Sequence, residues 1–135
     1  MSDNPTFRRP PLVGVDLVEP NRLAARLEAN PQLRDELFHP GEIRYCEAQA
    51  EPIEHLAGRF CAKEAVMKAL GADRWDPLDV EVVQGGDVTE LRLHDELLER
   101  SWELGVEVSI SMSHLPSIAI AVALARSVGP VQVEE

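Results

Sequence analysis

The sequence of 135 residues contains few lysines, cysteines and aromatic residues and no long apolar run. Each of these shortages argues against a class of protein or a kind of site. Acidic residues outnumber basic ones by 24 to 13, for a net charge of −11. This balance argues against indiscriminate nucleic-acid binding, which depends on clustered Lys and Arg. No apolar run approaches the roughly 20 residues of a transmembrane helix, so we expect neither nucleic acid nor a membrane as partner. The polar N-terminus also lacks the apolar stretch of a secretory signal.

The two cysteines, Cys46 and Cys61, form no CxxC pair, so the sequence indicates neither a zinc site nor a disulfide framework. We therefore expect a reduced protein in the cytoplasm. The length and the 44% hydrophobic content are typical of one globular domain. We place that domain at residues 11–127, between a flexible N-terminus at 1–10 and a flexible acidic C-terminus at 128–135.

Hydrophobic periodicity and the positions of proline and glycine predict an α+β domain with a mostly antiparallel sheet. The predicted strands are Val13–Val18, Asp79–Val83, Val88–Leu93, Val106–Met112 and Ile118–Leu124, with a turn at 85–87. The predicted helices are those from Glu19-Pro20 to about Asn30, from His39-Pro40 to about Gln49, from Pro52 to Leu70 and from His94 to Leu104, with a short segment at 33–38.

Lysine occurs only at positions 63 and 68, and the other basic residues are all arginine. A generic surface cation can be either residue, but guanidinium cannot replace a compact ammonium whose pKa shifts readily. The two lysines therefore indicate a chemical requirement in this segment. The alternative is an ordinary helix face on which lysine happened to persist.

Glu64 and Lys68 are four residues apart and share one face of the predicted helix. Arg59 and Lys63 form a second pair of this spacing on the adjoining side. A carboxylate flanked by cations suits a Mg²⁺–phosphate site, in which oxygen holds the metal and the cations balance the phosphate. The alternative is a surface ion pair worth about 0.3–0.5 kcal/mol.

Asp16 stands inside an apolar strand, where an unpaired buried carboxylate is costly. It either lies on the solvent face of the strand, joins a buried salt bridge, or ligates a metal at a cleft. Gly14 leaves room nearby for a backbone or a ligand to approach. His114 follows a strand at a turn, a common place for functional groups, although a histidine there is often simply exposed.

Three segments carry a resemblance to a known family. They are Gly14-Val15-Asp16, Phe60-Cys61-Ala62-Lys63-Glu64-Ala65-Val66-Met67-Lys68 and Ile110-Ser111-Met112-Ser113-His114. Together, and in this order, they resemble the motifs of the holo-acyl-carrier-protein synthases, the short 4′-phosphopantetheinyl transferases. The resemblance implies the fold of that family, a mostly antiparallel sheet wrapped around a long central helix, and a homotrimer with sites between subunits. Departures are Cys61, where Ala or Ser is usual, and a short loop at 71–75 with one glycine.

The resemblance also implies an activity, the Mg²⁺-dependent transfer of 4′-phosphopantetheine from coenzyme A to a serine of an apo carrier protein, with release of adenosine 3′,5′-bisphosphate. Asp16 and Glu64 would hold the Mg²⁺, and Lys68 would stabilise charge on the phosphates. Either Glu64 or a metal-bound water would deprotonate the serine. The implied contacts with coenzyme A are Arg59, Lys63, Lys68, Ser113 and His114.

The resemblance further implies a basic docking surface for the carrier protein on the first helix, where this chain offers Arg22 and Arg26. The carrier belongs to fatty acid or to polyketide synthesis. In a trimer, the Glu64 and His114 of one site would come from different chains. Two other interpretations remain at this stage, a catalytically silent scaffold that binds carrier proteins or coenzyme A, and a purely structural α+β domain.

Overall fold

A computed structural model describes residues 4–6, 12–85 and 88–128. Its elements are β1 Val13–Val18, α1 Pro20–Ala29, α2 Leu33–Leu37, α3 Pro40–Glu47, α4 Pro52–Leu70, a 3₁₀ turn Pro77–Asp79, β2 Val80–Gly85, β3 Val88–Leu93, α5 Asp95–Leu104, β4 Val106–Leu115 and β5 Ile118–Ser127. The predicted order of elements is confirmed, and the segment after α1 is an additional short helix. Most of the two predicted tails, and residues 86–87 of the predicted turn, lie outside the described residues.

Proline and glycine define the helix boundaries. Helices α1, α3 and α4 each have proline in the first turn, where its missing N–H breaks no helical hydrogen bond. Helix α4 ends at Gly71 and α5 at Gly105, and both glycines adopt the left-handed conformation, with φ of 58° and 64°. Of the helices in the described residues, none is both long and apolar enough to span a bilayer.

The strands form two antiparallel sheets instead of the single sheet expected. The larger has the order β1-β5-β4, and β2 pairs with β3 in a separate hairpin. Period-two alternation reveals strands but not which sheet each one joins, because sheet membership depends on contacts between distant segments. The α+β class with antiparallel pairing around a long central helix is nevertheless confirmed.

Helix α4 lies across the three-stranded sheet and is buried along most of its length. The sheet presents a row of small, buried side chains to it from β5, namely Ala119, Ala121, Ala123 and Ala125. Helices α1, α3 and α5 and strand β2 pack against its other sides. A helix covered on all sides is apolar around most of its circumference, which agrees with the composition of α4.

Gly14 brings β1 into direct contact with the backbone of α4. A Cβ atom at this position would overlap the carbonyl oxygen of Ala65 and lie 2.9 Å from the amide nitrogen of Ala69. A hydrogen bond of 3.1 Å from the amide of Leu12 to the carbonyl oxygen of Ala69 joins the same two segments. The space that the sequence predicted beside Asp16 is therefore filled by the helix backbone.

We predict that Gly14→Ala lowers the free energy of unfolding by at least about 2 kcal/mol, because neither backbone can move away without disturbing the core. Gly41→Ala is the matched control, since the nearest atom to a Cβ there is a side-chain nitrogen of Arg44 at 3.8 Å. Alanine at this helical position stabilises by as much as about 1 kcal/mol. Urea unfolding measures both variants, and equal stabilities would contradict the packing argument.

Candidate active site

Asp16 and Lys68 meet where β1 crosses the last turns of α4. The Lys68 Nζ lies 3.2 Å from Asp16 Oδ1 and donates a 3.1 Å hydrogen bond to the carbonyl oxygen of Val15. The Asp16 side chain is 17% exposed and that of Lys68 is 48% exposed. Asp16 pairs with the buried Ala121 of β5 and so projects from the helix side of the sheet. It therefore does not lie on the solvent face of the strand.

Glu64 shares this site. Burial raises the pKa of its carboxyl group, and the negative charge of Asp16 raises that pKa further. The positive charges of Lys68 and Arg26 act in the opposite direction. The net rise of the Glu64 pKa shows that burial and the charge of Asp16 together outweigh the two nearby cations. The sequence-predicted trio of Asp16, Glu64 and Lys68 is therefore brought together within one chain.

The donor set of this site fits Mg²⁺. Magnesium prefers hard oxygen ligands and usually takes one or two carboxylates from the protein, with water and substrate phosphate as the remaining ligands. Asp16 and Glu64 supply two carboxylates whose charges act on one another. The half-exposed ammonium of Lys68 lies beside them, where a phosphate can reach it from solvent.

The structure places Lys63 in the core, away from any surface where coenzyme A could bind. Its side chain is 0% exposed, and its ammonium donates to Glu42 Oε1 at 2.8 Å, to the carbonyl oxygen of Pro77 at 2.9 Å and to that of Val80. Burial lowers the pKa of Lys63, and the Glu42 carboxylate opposes that effect. All three N–H donors are used, so we correct the expected phosphate contact to a structural role.

Arg59 is also buried but keeps unused donors. Its guanidinium carbon lies 4.4 Å from the ring centroid of Tyr45. Within the described part of the chain, Nε and one terminal nitrogen have no hydrogen-bond partner. Buried, unpaired N–H groups of a cation are costly, and a phosphate oxygen would satisfy them.

His114 lies at the opposite end of α4 from Lys68. Its Nδ1 is 3.0 Å from Glu54 Oε1, and its ring centroid is 4.9 Å from that of His55. Glu54 and Lys68 are 14 positions apart on the same helix, which at 1.5 Å per residue is about 20 Å. The structure therefore does not bring His114 to the Asp16–Glu64 site within one chain.

Ser113 lies on the other face of the sheet. It is exposed and pairs in register with Ile120, which also points away from α4. Apolar side chains cover this outer face and are 37–59% exposed, namely Val13, Val15, Leu17, Ile120, Val122 and Leu124. A contiguous apolar patch of this kind marks an interaction surface.

Arg22 and Arg26 border a groove of about 390 Å³ whose other walls include Leu23 and Phe60. The Arg22 side chain is 81% exposed and lies 3.7 Å from a carboxylate oxygen of Glu19. Arg26 is exposed as well, and its charge acts on Glu64. The two arginines predicted to dock a carrier protein therefore lie beside the candidate active site.

Sequence reasoning missed Glu42 and Glu54. Glu42 is buried, pairs with Lys63 and accepts a 3.1 Å hydrogen bond from the amide of Val82. It also accepts from the amide of His39 at 2.9 Å. A glutamate three residues after a helix N-cap is a recognisable signal for the last contact. The partners of Glu54 and Lys63 are distant in sequence, so no local pattern reveals them.

Comparison with known proteins agrees with this geometry. The model of the 4′-phosphopantetheinyl transferase superfamily matches residues 12–123. The chain belongs to this family. The predicted relationship to the holo-acyl-carrier-protein synthases is confirmed as well, because curated proteins of that name are 40% identical to the chain.

Three relatives of this transferase illustrate the match. The holo-[acyl-carrier-protein] synthase of Moorella thermoacetica is 40% identical over 119 residues, covering 84% of this chain and 92% of its own length. The enzyme of that name from Streptomyces griseus is 40% identical over 118 residues, covering 84% and 96%. The ACPS–CoA complex of Chronobacterium ammoniagenes has a TM-score of 0.75 at 31% identity, covering 85% and 96%.

We predict that Glu64→Gln raises the thermal unfolding temperature of this transferase at neutral pH without divalent ions. Because the folded-state pKa of Glu64 is raised, its contribution to stability is complete at low pH and is lost as the pH rises through that pKa. Removal of the charge therefore relieves a destabilising effect. Added Mg²⁺ stabilises the wild type more than the variant. Calorimetry checks both effects.

Glu99→Gln, an exposed change on α5, is the control and leaves the unfolding temperature near that of the wild type. A lower unfolding temperature for Glu64→Gln, or equal stabilisation of the variant and the wild type by Mg²⁺, would contradict the site geometry.

Proposed function

We propose that this protein transfers 4′-phosphopantetheine from coenzyme A to a serine hydroxyl of an apo acyl or polyketide carrier protein. The observation that carries the proposal is the convergence of Asp16, Glu64 and Lys68 in a chain of the phosphopantetheinyl transferase family. Relatives of this chain are named holo-[acyl-carrier-protein] synthases, and one solved relative is a complex with CoA. The free cysteines fit a reducing, cytoplasmic setting.

The reaction forms a bond between the serine oxygen and the phosphorus of phosphopantetheine and breaks the bond from that phosphorus to adenosine 3′,5′-bisphosphate. Asp16 and Glu64 would hold Mg²⁺, which when bound neutralises charge on the pyrophosphate. Lys68 stabilises the negative charge that develops on the leaving phosphate. Either Glu64 or a metal-bound water activated by a carboxylate would accept the serine proton. Arg59 offers its unpaired Nε and terminal nitrogen to a phosphate of coenzyme A.

The complete site includes residues of two subunits. His114 and Ser113 lie on β4, about 20 Å along α4 from Lys68. They contribute to coenzyme A binding only if a neighbouring chain brings them to the Asp16–Glu64 site. The exposed apolar outer face of the sheet supports such an assembly, because it would be covered by contact with other copies. We propose a homotrimer with sites between neighbouring chains.

The carrier protein docks at the groove beside α1. Arg22 and Arg26 border this groove, which has apolar walls from Leu23 and Phe60. Two exposed cations in an otherwise acidic protein select an acidic partner surface. Since the groove also includes Val18, which follows Asp16 closely in β1, the bound carrier presents its serine near the carboxylates.

We predict that the purified protein, incubated with coenzyme A, Mg²⁺ and apo carrier protein, adds one phosphopantetheinyl group to the carrier. Mass spectrometry of the carrier measures the product against a panel of fatty acid and polyketide carriers. Asp16→Asn and Glu64→Gln each lower the rate by at least about a hundredfold while circular dichroism stays that of a folded protein. Undiminished transfer by both variants would refute the assignment, and coenzyme A binding without transfer by the wild type would identify a silent scaffold.

We predict that Glu64→Gln and His114→Ala chains, each inactive alone, complement one another in mixed trimers. If each site takes Glu64 from one chain and His114 from its neighbour, equal mixing restores both residues in about a quarter of the sites. Refolding the two variants together, followed by the transfer assay, measures this activity.

The matched control mixes Glu64→Gln with Lys68→Ala. Glu64 and Lys68 of one site come from the same chain. Every chain in this mixture lacks one of the two, so no site is complete and the mixture stays inactive. Equal activity of the two mixtures, or no recovery in the first, would contradict a site shared between subunits.

We predict that the double change Arg22→Glu and Arg26→Glu raises the KM for carrier protein about tenfold or more and makes it less sensitive to salt. Exposed charges at the rim of an interface mainly control association and its salt dependence. The affinity for coenzyme A stays near normal. Arg44→Glu, an exposed change on α3, is the control. An unchanged KM for the carrier would show that α1 is not the docking surface.

A further inference from the structure

His39, Glu81 and His94 converge from three separate elements on a part of the molecule that the transfer reaction does not use. Each offers one potential ligand atom, and these atoms lie within 4.8 Å of one another. His94 Nε2 is 2.9 Å from Glu81 Oε1, and the ring centroids of His39 and His94 are 5.1 Å apart. Among the described residues, no other three His, Cys, Asp or Glu side chains meet this closely.

Each of the three positions is fixed by backbone contacts. The amide of His39 donates to Glu42 at the start of α3, and the amide of His94 donates a 2.7 Å hydrogen bond to the carbonyl oxygen of Asp79. Glu81 is paired within the β2–β3 hairpin. Ligands on fixed backbone positions need only side-chain rotation to close around an ion.

The surroundings of His39 are those of a metal-binding imidazole. Its Nε2 lies 2.7 Å from the carbonyl oxygen of Leu78, which only accepts hydrogen bonds, and its side chain also accepts from the amide of Glu42 in the capping box of α3. An ion bound to His39 therefore replaces this capping hydrogen bond, while the bond to Leu78 remains. Carbonyl and carboxylate partners of this kind orient the rings of metal-binding histidines. His39, Glu81 and His94 are all partly exposed, so an ion reaches them from solvent.

Glu81 offers a carboxylate oxygen to the cluster. Burial acts to raise its pKa, but the hydrogen bond with His94 and the positive charges of His39 and Arg92 hold that pKa below its usual value. Arg92 contacts Glu81 Oε1 at 3.5 Å with a side chain that is mostly exposed. An incoming divalent cation therefore replaces the exposed guanidinium of Arg92 and not a buried cation.

The donor set selects the kind of ion. Two imidazoles and one carboxylate suit Zn²⁺, which binds nitrogen and oxygen at about 2.0–2.2 Å. Tetrahedral ligation at those lengths separates ligand atoms by about 3.4 Å. The 2.9 Å pair of His94 and Glu81 therefore opens slightly, and a separation at the 4.8 Å limit closes by about 1.4 Å. This chemistry differs from that of Asp16 and Glu64, whose carboxylates suit Mg²⁺.

We propose that His39, Glu81 and His94 bind one Zn²⁺ ion, which links the start of α3, strand β2 and the start of α5. A solvent molecule occupies the fourth position. The ion acts as a structural cross-link, since none of its ligands belongs to the transferase site. The bonds to zinc replace the hydrogen bond between His94 and Glu81.

Isothermal titration of the full chain with Zn²⁺ tests the proposal. We expect one ion per wild-type chain and a loss of affinity of at least about tenfold in each of His39→Gln, Glu81→Gln and His94→Gln. His55→Gln is the matched control, because His55 also packs against another histidine but joins no such ligand group within the described ranges. Asp16→Asn retains the zinc site. Zn²⁺ also raises the unfolding temperature of the wild type and not that of Glu81→Gln.

No zinc binding by the wild type, zinc binding that survives all three ligand substitutions, or zinc binding that Asp16→Asn removes would each overturn the proposal. X-ray absorption of the zinc-loaded wild type provides a test that does not depend on the folding of any variant. It should show two imidazole ligands, and a coordination shell made only of oxygen would contradict the site.

Discussion

The backbone contact between β1 and α4 at Gly14 is the constraint on which the active site depends. Because no Cβ intervenes, the strand lies against the carbonyl oxygen of Ala65 and the amide of Ala69. Asp16, two residues further along β1, then projects from the same face and reaches the last turns of the helix. The small, buried alanine side chains of β5 line the rest of the sheet where it faces the helix. The position of one carboxylate is thus a consequence of core packing.

The two lysines of the chain illustrate how neighbouring cations take different roles. Five residues along a helix correspond to about 140° around its axis, so Lys63 and Lys68 face different surroundings. Lys63 neutralises Glu42 inside the core, where loss of either partner would leave an unpaired charge. Lys68 remains half exposed beside Asp16. The protein therefore holds two acids in one partly buried place, where burial and the charge of Asp16 raise the pKa of Glu64, an arrangement that costs stability and suits the binding of a cation and phosphate.

Much of the fold follows from local sequence signals, whereas the role of each charged residue depends on distant contacts. Proline and glycine predict the bounds of α4, and strict alternation predicts β4. Strand β4 continues three residues beyond the predicted end, because polar residues there still pair with β5. The trio of Asp16, Glu64 and Lys68 could be predicted from family motifs. The burial of Lys63 could not, because its partners come from α3, from the 3₁₀ turn and from the first residue of β2.

The central claim is that one divalent ion is shared by carboxylates from β1 and from α4. A crystal structure of the full chain with coenzyme A and Mn²⁺ in place of Mg²⁺ tests it most directly, since anomalous scattering locates manganese independently of any model of the protein. The account predicts an anomalous peak within ligand distance of both Asp16 and Glu64, adjoining a phosphate of coenzyme A. A phosphate-bound ion located away from these two side chains would contradict it.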